Sequence, residues 1–508
     1  MKLLKTTPVS TLIICILALF ALKGVFLSVL MPFFQNPDEQ VHYGTLQHWA
    51  EPAIKTWEIK AYPKGTYFIN PEDVRTSNLP QETRESAAGI GFDEIKFQPQ
   101  NTQDFSDKAT ESSINANTWS RWVDTTPSAV SGTQSWYYLV SSWIERWLAD
   151  QDIFTRMLAI RLFSVLLGFM TVWLAYLALL KIGFSRIEST LITGLIAFQP
   201  MLGITAAQIN IDIALIFAFA LFTYAGISLI ASRGKQAILF GALALAASII
   251  GITAKGPGIV LVALTPLLLG YTIWTRFGEE IKKKISSLGM SQRSLWLSAF
   301  FALLVIGAAL STVIPSSYIS SITNASATSK FDSPIASLAA YLDKTMDIDA
   351  FRWSALSYWG NFGWLDTSIH DSVFNLIWTV EIITLIGLLL YLIPWRPKRF
   401  PVCLSGNRDF LPAKYFIIAL LLLSLALEFA IRFYDWRVFD AHAKILIGTP
   451  GRYFLPNIAA HIALLVTGLG FFCRSRIQFH WLLKSLLILM LLLQLYSMFD
   501  IILPRYYL

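Results

Sequence analysis

The sequence predicts an all-α polytopic membrane protein, and its composition, its hydropathy and the placement of its basic residues all lead to that class. Of the 508 residues, 55% are hydrophobic and only 14% are charged, whereas roughly a quarter of the residues in a soluble protein are charged. The mean hydropathy is +0.55. The net charge of +7 does not indicate a nucleic-acid partner, because the lysines and arginines lie in short segments between apolar runs.

Eleven apolar runs are long enough to cross a bilayer, which takes about 20 helical residues. The predicted spans are 9–32, 155–181, 187–207, 209–231, 236–254, 257–275, 294–314, 373–395, 412–431, 453–473 and 481–503. If the N-terminus is cytoplasmic, every loop on that side is basic, as the positive-inside rule requires. The three cysteines fall within a span or on the inner side, so no disulfide is expected in the outer regions.

Three predicted outer regions are longer than turns, and residues 1–508 are predicted to form one helical membrane domain beneath them. These regions are 35–152, 315–372 and 432–452. Near the end of the first region, Trp136, Trp143 and Trp147 recur at spacings of seven and four, which places them on one face of a helix. Tryptophan favours the lipid headgroup zone, so we predict an amphipathic helix on the membrane surface.

The first span ends in an acidic junction, the segment NPDEQVHY at 36–43. Charged groups at a membrane border are costly, which favours a functional role for Asp38 and Glu39. His42 follows Asp38 by four residues and shares its helical face. One alternative is a helix start with favourable acidic residues in its first turn. Another is a divalent metal ion held by these three side chains, although a single histidine is a weak metal signature.

Two basic residues stand at outer helix ends, against the positive-inside expectation. Lys255 lies in the segment AKGPG and Arg452 in the segment TPGRYF. Glycine lets the backbone approach a ligand closely, and a phosphate is a natural partner for such cations. The alternative is that both side chains extend towards lipid headgroups. The polar residues Gln208, Asn210 and Asp212 either line a cavity or cap two helices.

Four sequence elements together carry a resemblance to a known class. They are Pro37–Tyr43, Gln134–Tyr138, Ser357–Trp364 and Gly451–Pro456. With these elements, in this order along most of the chain, the protein resembles the GT-C class of membrane glycosyltransferases. It resembles more closely a bacterial family of predicted membrane proteins of that class.

The resemblance implies an inverting transfer on the periplasmic side of a bacterial inner membrane. A sugar carried on a polyprenyl phosphate would pass to a cell-envelope glycan acceptor similar to O-antigen, with membrane lipid around the site. Asp38 would be the base and Glu39 would support it. The donor phosphate would be bound by Arg452, Lys255 and Tyr453. The acceptor and sugar would be bound by His42, Tyr43, Tyr138, Trp359, Trp364 and Asp366. No cofactor is firmly implied, and a divalent metal ion stays an open alternative.

Packing is the alternative for each aromatic residue of that set, because side chains such as Trp359 and Trp364 also pack against membrane helices. Two other functions compete with glycosyl transfer. One is transport of polyprenyl-linked glycans, and the other is a non-catalytic role in polysaccharide assembly. A transporter needs a polar path through the bundle, whereas charged residues within the predicted spans are few and lie towards the outer ends.

Overall fold

The computed structural model describes residues 8–56, 79–101, 108–121, 135–287, 329–393, 409–445 and 448–508. Across these residues the chain is helical apart from one two-stranded antiparallel sheet. Nine of the described helical segments are long and apolar enough to span a membrane, and a bent helix pair is a tenth candidate. The predicted all-α polytopic class is therefore confirmed.

The helices and strands follow one another in an order that separates the spans from the predicted outer regions. The first part of the chain forms α1 (Pro8–Leu30), α2 (Glu39–Thr56), α3 (Gln81–Gly89), α4 (Phe92–Ile95), α5 (Lys108–Asn115), α6 (Trp136–Trp147), α7 (Ile153–Ile182), α8 (Arg186–Ala197), α9 (Pro200–Ala206), α10 (Asp212–Ala231), α11 (Lys235–Ala254), a 3₁₀ turn (Gly256–Gly258) and α12 (Ile259–Ser287). The second part forms α13 (Pro334–Thr345), α14 (Ile348–Gly360), β1 (Asn361–Phe362), β2 (Thr367–Ser368), α15 (Asp371–Leu392), α16 (Lys414–His442), a 3₁₀ segment (Gly451–Asn457), α17 (Ile458–Gly470), α18 (Arg476–Tyr496), a π-helical segment (Ser497–Ile502) and α19 (Leu503–Tyr507).

Ten of the eleven predicted spans coincide with described helices, and the span predicted at 294–314 lies outside the described residues. The span predicted at 187–207 is broken, because α8 and α9 meet at an angle of 66°. Pro200 has no N–H to donate and begins α9, where that loss costs little. Lys23 donates to the carbonyl of Ala197 at 2.6 Å, which satisfies an acceptor that the break leaves free.

Helix α16 continues beyond the end predicted for the span 412–431 and reaches His442. Several of the added residues pack against α13, and polar side chains among them lower the hydropathy of this part of the helix. The Tyr341 hydroxyl donates to Asp435 at 2.9 Å, and the Tyr341 ring lies 5.7 Å from that of Phe439. The third outer region, predicted from 432, thus begins with about three turns of helix.

The amphipathic helix predicted near the end of the first outer region is present as α6, and its polar face is turned inward. The buried side chains are Tyr137, Tyr138, Ser141, Ser142 and Glu145, and the exposed large apolar ones are Leu139, Val140, Trp143 and Trp147. Trp136 is only partly exposed, because its ring N–H donates to the carbonyl of Ile250 at 3.0 Å, near the end of α11. The inward polar face brings Tyr138 towards α2.

One end of the bundle gathers the segments that carry the predicted site residues. There α1 ends, α10 begins at Asp212, α11 ends at Ala254, and the 3₁₀ segment Gly451–Asn457 begins. Helix α10 packs against α7, α11 and that 3₁₀ segment. We call this the junction end; it is the end that the sequence predicts to be periplasmic.

Candidate functional site

The backbone that leaves α1 turns sharply before α2 begins. Phe34 and Asp38 have φ angles of 66° and 62°, in the left-handed region that side chains other than glycine seldom adopt. Aspartate and asparagine tolerate this region best. Such conformations persist only where surrounding contacts fix them, and two sets of contacts do so here.

The first set is a buried ion pair between Glu39 and Arg161. Both side chains are fully buried, and the guanidinium binds the carboxylate through two N–H groups, at 2.6 and 2.9 Å. The backbone N–H groups of Phe34 and Ile209 also donate to this carboxylate, each at 3.0 Å. Arg161 donates further to the carbonyls of Ser28, Met31 and Pro32. The Glu39 carboxylate therefore links the junction to α7 and to the start of α10.

The second set comes from residues far along the chain, which we call the C-terminal clasp: Trp364, Asp366, Arg505, Tyr506 and Tyr507. The contacts to the junction are Trp364 Nε1 to the Phe34 carbonyl at 3.3 Å, Tyr506 hydroxyl to the Gln35 carbonyl at 3.4 Å, and Tyr507 hydroxyl to the Leu30 carbonyl at 2.9 Å. Asp366 and Arg505 form an ion pair at 3.2 Å. Of the two residues expected from the resemblance to contact a sugar, Trp364 donates to the junction backbone and Asp366 pairs with Arg505.

Four charged side chains meet beside the junction, and we call them the ionic cluster: Asp38, Asp212, Lys255 and Arg452. Arg452 Nη2 lies 3.7 Å from Asp38 Oδ2, and Lys255 forms an ion pair with Asp212. The ring of Tyr453 lies 4.4 Å from Lys255 Nζ and 5.4 Å from the Arg452 guanidinium. The Asp38 side chain is 38% exposed, whereas that of Arg452 is only 9% exposed.

Gly451 explains how Arg452 reaches this position. A Cβ atom at residue 451 would overlap the Ser354 carbonyl oxygen and the Tyr358 backbone nitrogen, so only glycine allows α14 to pack so closely there. The Ser357 hydroxyl accepts a hydrogen bond from the Gly451 N–H at 2.6 Å. Helix α14 therefore fixes the turn from which the Arg452 side chain extends towards Asp38.

The protonation states in the cluster follow from burial and charge. Burial alone would lower the pKa of Lys255, but the Asp212 carboxylate outweighs it, so the pKa is raised and the ammonium stays charged. Burial lowers the pKa of His42 to about 4. The neutral imidazole shares a hydrogen bond through Nδ1 with the Tyr138 hydroxyl, and burial raises the pKa of that phenol. His42 and Tyr138 are thus uncharged neighbours of the cluster at neutral pH.

The depressed pKa of His42 gives a prediction for stability. The unfolded chain takes up a proton below its ordinary pKa of 6.5, whereas the folded imidazole stays neutral down to about 4. The stability present above pH 6.5 is therefore lost as the pH falls towards 4, by at most about 3 kcal/mol. Fluorescence-detected unfolding in nanodiscs at pH 7.5 and 4.5 measures this loss.

The variant His42→Gln should lose less stability on acidification than the wild type. His480→Gln is the matched control, because His480 pairs with Glu188 on α8 and should leave the effect of His42 intact. Equal acid losses in the wild type and in His42→Gln would contradict the assignment.

Unpartnered polar groups are concentrated at the junction. Of the eighteen buried side-chain nitrogen and oxygen atoms that lack a hydrogen-bond partner among the described residues, nine belong to six residues there. These residues are Gln35, Asn36, Gln40, Gln208, Asp212 and Arg452. Burial of each such atom without a partner lowers the free energy of unfolding by about 1–3 kcal/mol. Their concentration in one place therefore indicates a function that offsets the loss of stability. Sequence reasoning had considered the last three and had given Gln35, Asn36 and Gln40 no role in the site, although all three flank Asp38 in the chain.

The other predicted site residues lie apart from the cluster. Tyr43 is fully buried and donates to Glu145, which pairs with Arg156. Trp359 packs edge-on against His461 at 5.9 Å and borders an apolar cavity of about 260 Å³ between α15, α17 and α18. The structure therefore brings together Asp38, His42, Tyr138, Lys255, Arg452 and Tyr453 from the predicted set. Glu39, Tyr43, Trp359, Trp364 and Asp366 serve packing and ion pairing around them.

A metal site finds no support in the part of the chain that the structure describes. No group of three or more histidine, cysteine, aspartate or glutamate side chains converges there. The set considered for a divalent ion was Asp38, Glu39 and His42. Glu39 is instead enclosed by Arg161, and His42 faces Tyr138.

At the end of a membrane span, the arrangement combines the half-exposed carboxylate of Asp38 with two cations, Lys255 and Arg452. The uncharged side chains of His42 and Tyr138 lie beside them. This arrangement is suited to binding an anion and to accepting a proton within a few ångströms of that anion.

Comparison with known proteins gives a family and no activity. No curated protein matches the chain. The model of the family described as predicted membrane protein DUF2142 matches residues 20–461, a stretch that includes the acidic junction, Lys255 and Arg452. With most of its length matched, the chain belongs to this family of predicted membrane proteins.

Proposed function

We propose that the protein is an inverting glycosyltransferase that moves a sugar from a polyprenyl-phosphate donor to a cell-envelope glycan acceptor. The observation that carries the proposal is the pairing of Asp38 and Arg452 at 3.7 Å. Asp38 is accessible to a substrate, and Arg452 keeps Nε and Nη1 without partners. The active site would lie at the junction end, on the periplasmic side of the bacterial inner membrane. Nucleotide sugars are absent there, so a lipid must carry the activated sugar.

Arg452 would be the main ligand of the donor phosphate. A guanidinium binds phosphate oxygens through several N–H groups at once, and those of Arg452 are buried and preorganised. Lys255 is charged and lies 4.4 Å from the Tyr453 ring, so it adds positive charge beside the same position. Fixed cations in a site with little water stabilise the charge that develops as the sugar–phosphate bond breaks.

Asp38 would act as the general base. The acceptor hydroxyl oxygen attacks the anomeric carbon while the bond from that carbon to the phosphate oxygen breaks. The hydroxyl proton passes to Asp38, and the electron pair of the broken bond stays on the released polyprenyl phosphate. A single displacement inverts the anomeric centre. Glu39 cannot share this role in its observed position, because Arg161 and two backbone N–H groups occupy its carboxylate; it positions Asp38 instead.

The binding half of the proposal is tested with sugar-free polyprenyl phosphate as the probe. Arg452→Gln in nanodiscs is expected to weaken its binding about 10- to 100-fold, the value of a charge-assisted hydrogen bond. Arg432→Gln is the matched control, since Arg432 forms a surface pair with Glu428 and should change affinity little. Equal affinities in the wild type and in Arg452→Gln would refute the phosphate assignment.

The transfer half is tested in cells. Mass spectrometry of the surface glycan, with and without the protein, should show a sugar increment that disappears on deletion. A glycan that stays on the cytoplasmic side when the protein is deleted would instead identify a transporter. A loss of polymer length that an Asp38→Asn variant fully restores would identify a non-catalytic assembly partner.

A further inference from the structure

Four carboxamide side chains surround the junction, and we call them the amide cluster: Gln35, Asn36, Gln40 and Gln208. Their exposed fractions are 0, 0, 3 and 2%. Both amide atoms of Gln35 and Asn36 lack a hydrogen-bond partner, as do the side-chain oxygens of Gln40 and Gln208. Buried amides are normally paired, so four together indicate groups that a ligand is meant to satisfy.

The four amides come from two parts of the chain, and these two segments lie against each other. Gln35, Asn36 and Gln40 lie within three residues of Asp38. Gln208 precedes Ile209, whose N–H donates to Glu39 at 3.0 Å, so the α9–α10 connection lies directly against the junction. The ionic cluster lies beside them, because Asp212 begins α10 four residues after Gln208.

The chemistry of the amide cluster matches hydroxyl groups. A carboxamide offers both a donor and an acceptor, and so does each hydroxyl of a sugar ring. A carboxylate or a phosphate offers acceptors alone and would leave the four amide oxygens unsatisfied. The amide cluster is therefore suited to a neutral polyhydroxylated ring.

The charged residues nearby also favour a neutral sugar over an acidic one. Lys255 is paired with Asp212, and the proposed donor phosphate takes Arg452. A sugar carboxylate would then lie beside Asp38 and Asp212 with no cation of the ionic cluster left to balance it. Such an uncompensated charge in a buried site is costly.

From these observations we infer that Gln35, Asn36, Gln40 and Gln208 form a sugar-binding subsite that takes a neutral sugar through its hydroxyl groups. The inference rests on the proposed function only in assigning Arg452 to a phosphate. It places the sugar against the amides of the junction, whereas the resemblance implied contacts with His42, Tyr43, Tyr138, Trp359, Trp364 and Asp366.

The test measures sugar and phosphate separately, with the full-length protein in nanodiscs. Saturation-transfer NMR with methyl glucoside reports the sugar subsite alone, and sugar-free polyprenyl phosphate reports the phosphate site alone. Gln40→Leu and Gln208→Leu are each expected to weaken methyl glucoside binding about three- to tenfold, the value of a lost hydrogen bond. When sugar-free polyprenyl phosphate saturates the wild type and occupies Arg452, methyl glucuronide should bind more weakly than methyl glucoside.

The same two variants should raise thermal stability or leave it unchanged, because each removes an unpartnered buried polar group. Weaker binding together with undiminished stability distinguishes a binding role from a packing role. Ser228→Ala is the matched control: its hydroxyl is also buried without a partner, but it lies about 24 Å along α10 from Asp212.

Three results would overturn the inference: absent glucoside binding in the wild type, glucoside binding that Gln40→Leu and Gln208→Leu do not change, or tighter binding of the glucuronide at saturating polyprenyl phosphate. Failure of the polyprenyl phosphate to bind would count against the proposed function and leave the glucoside result standing.

Discussion

Replacing Asp38 by Asn is expected to lower the rate of sugar transfer by about 10²- to 10⁴-fold, the range that general base catalysis contributes. Asparagine has nearly the same shape and tolerates the left-handed backbone at φ 62°, so the fold should persist. It cannot accept the acceptor proton, so the chemical step alone should suffer. Single-turnover transfer from a polyprenyl-phosphate sugar measures the effect.

Asp38→Ala separates the chemistry from the backbone conformation. Alanine also removes the base, but it tolerates the left-handed region less well and should cost about 1–2 kcal/mol of stability. We therefore expect both variants to be inactive and only the alanine variant to unfold at a lower temperature. Normal turnover in Asp38→Asn would exclude Asp38 as the base.

Replacing Arg161 by Met is expected to destabilise the fold by about 3–5 kcal/mol, because it leaves the fully buried carboxylate of Glu39 without its partner. The measurement is unfolding in nanodiscs, with transfer assayed on the fraction that stays folded. Adding Glu39→Gln to this variant should recover much of the stability, since an amide costs less to bury than an unpaired charge.

The single variant Glu39→Gln decides what Glu39 does. In the structure it is a positioning residue, so Glu39→Gln should reduce stability and activity together. If Glu39→Gln abolished transfer at unchanged stability, Glu39 would act in the chemical step, and its buried ion pair with Arg161 would not be its main role.

Hydropathy was sufficient to predict most of the architecture. A span is recognised from its own composition, because lipid requires a continuous apolar surface and internally bonded backbone. Hydropathy could not predict the break at Phe198–Gln199, because both halves of the span are apolar and only Pro200 marks the bend. The extension of α16 was missed for the opposite reason: its last turns pack on α13 and carry polar residues such as Asp435.

The site was predicted in part, because sequence shows which residues are unusual and not what they contact. Asp38, Lys255 and Arg452 stood out as charges at span ends, and the fold brings them together. Glu39 was equally conspicuous, but its partner Arg161 lies 122 residues away. The resemblance implied that Trp364 contacts sugar; the structure shows that its ring N–H donates to the Phe34 backbone carbonyl.

The C-terminal clasp sets the time at which the junction acquires its final shape. Tyr506 and Tyr507 bond carbonyls that precede them by 471 and 477 residues. Synthesis therefore delivers Asp38 long before these tyrosines emerge from the ribosome. A chain halted after α17 would contain every charged member of the ionic cluster and would lack the two contacts that Tyr506 and Tyr507 make to the junction backbone. Such a nascent protein should be inactive towards substrate until α18 and the residues up to Tyr507 are in place.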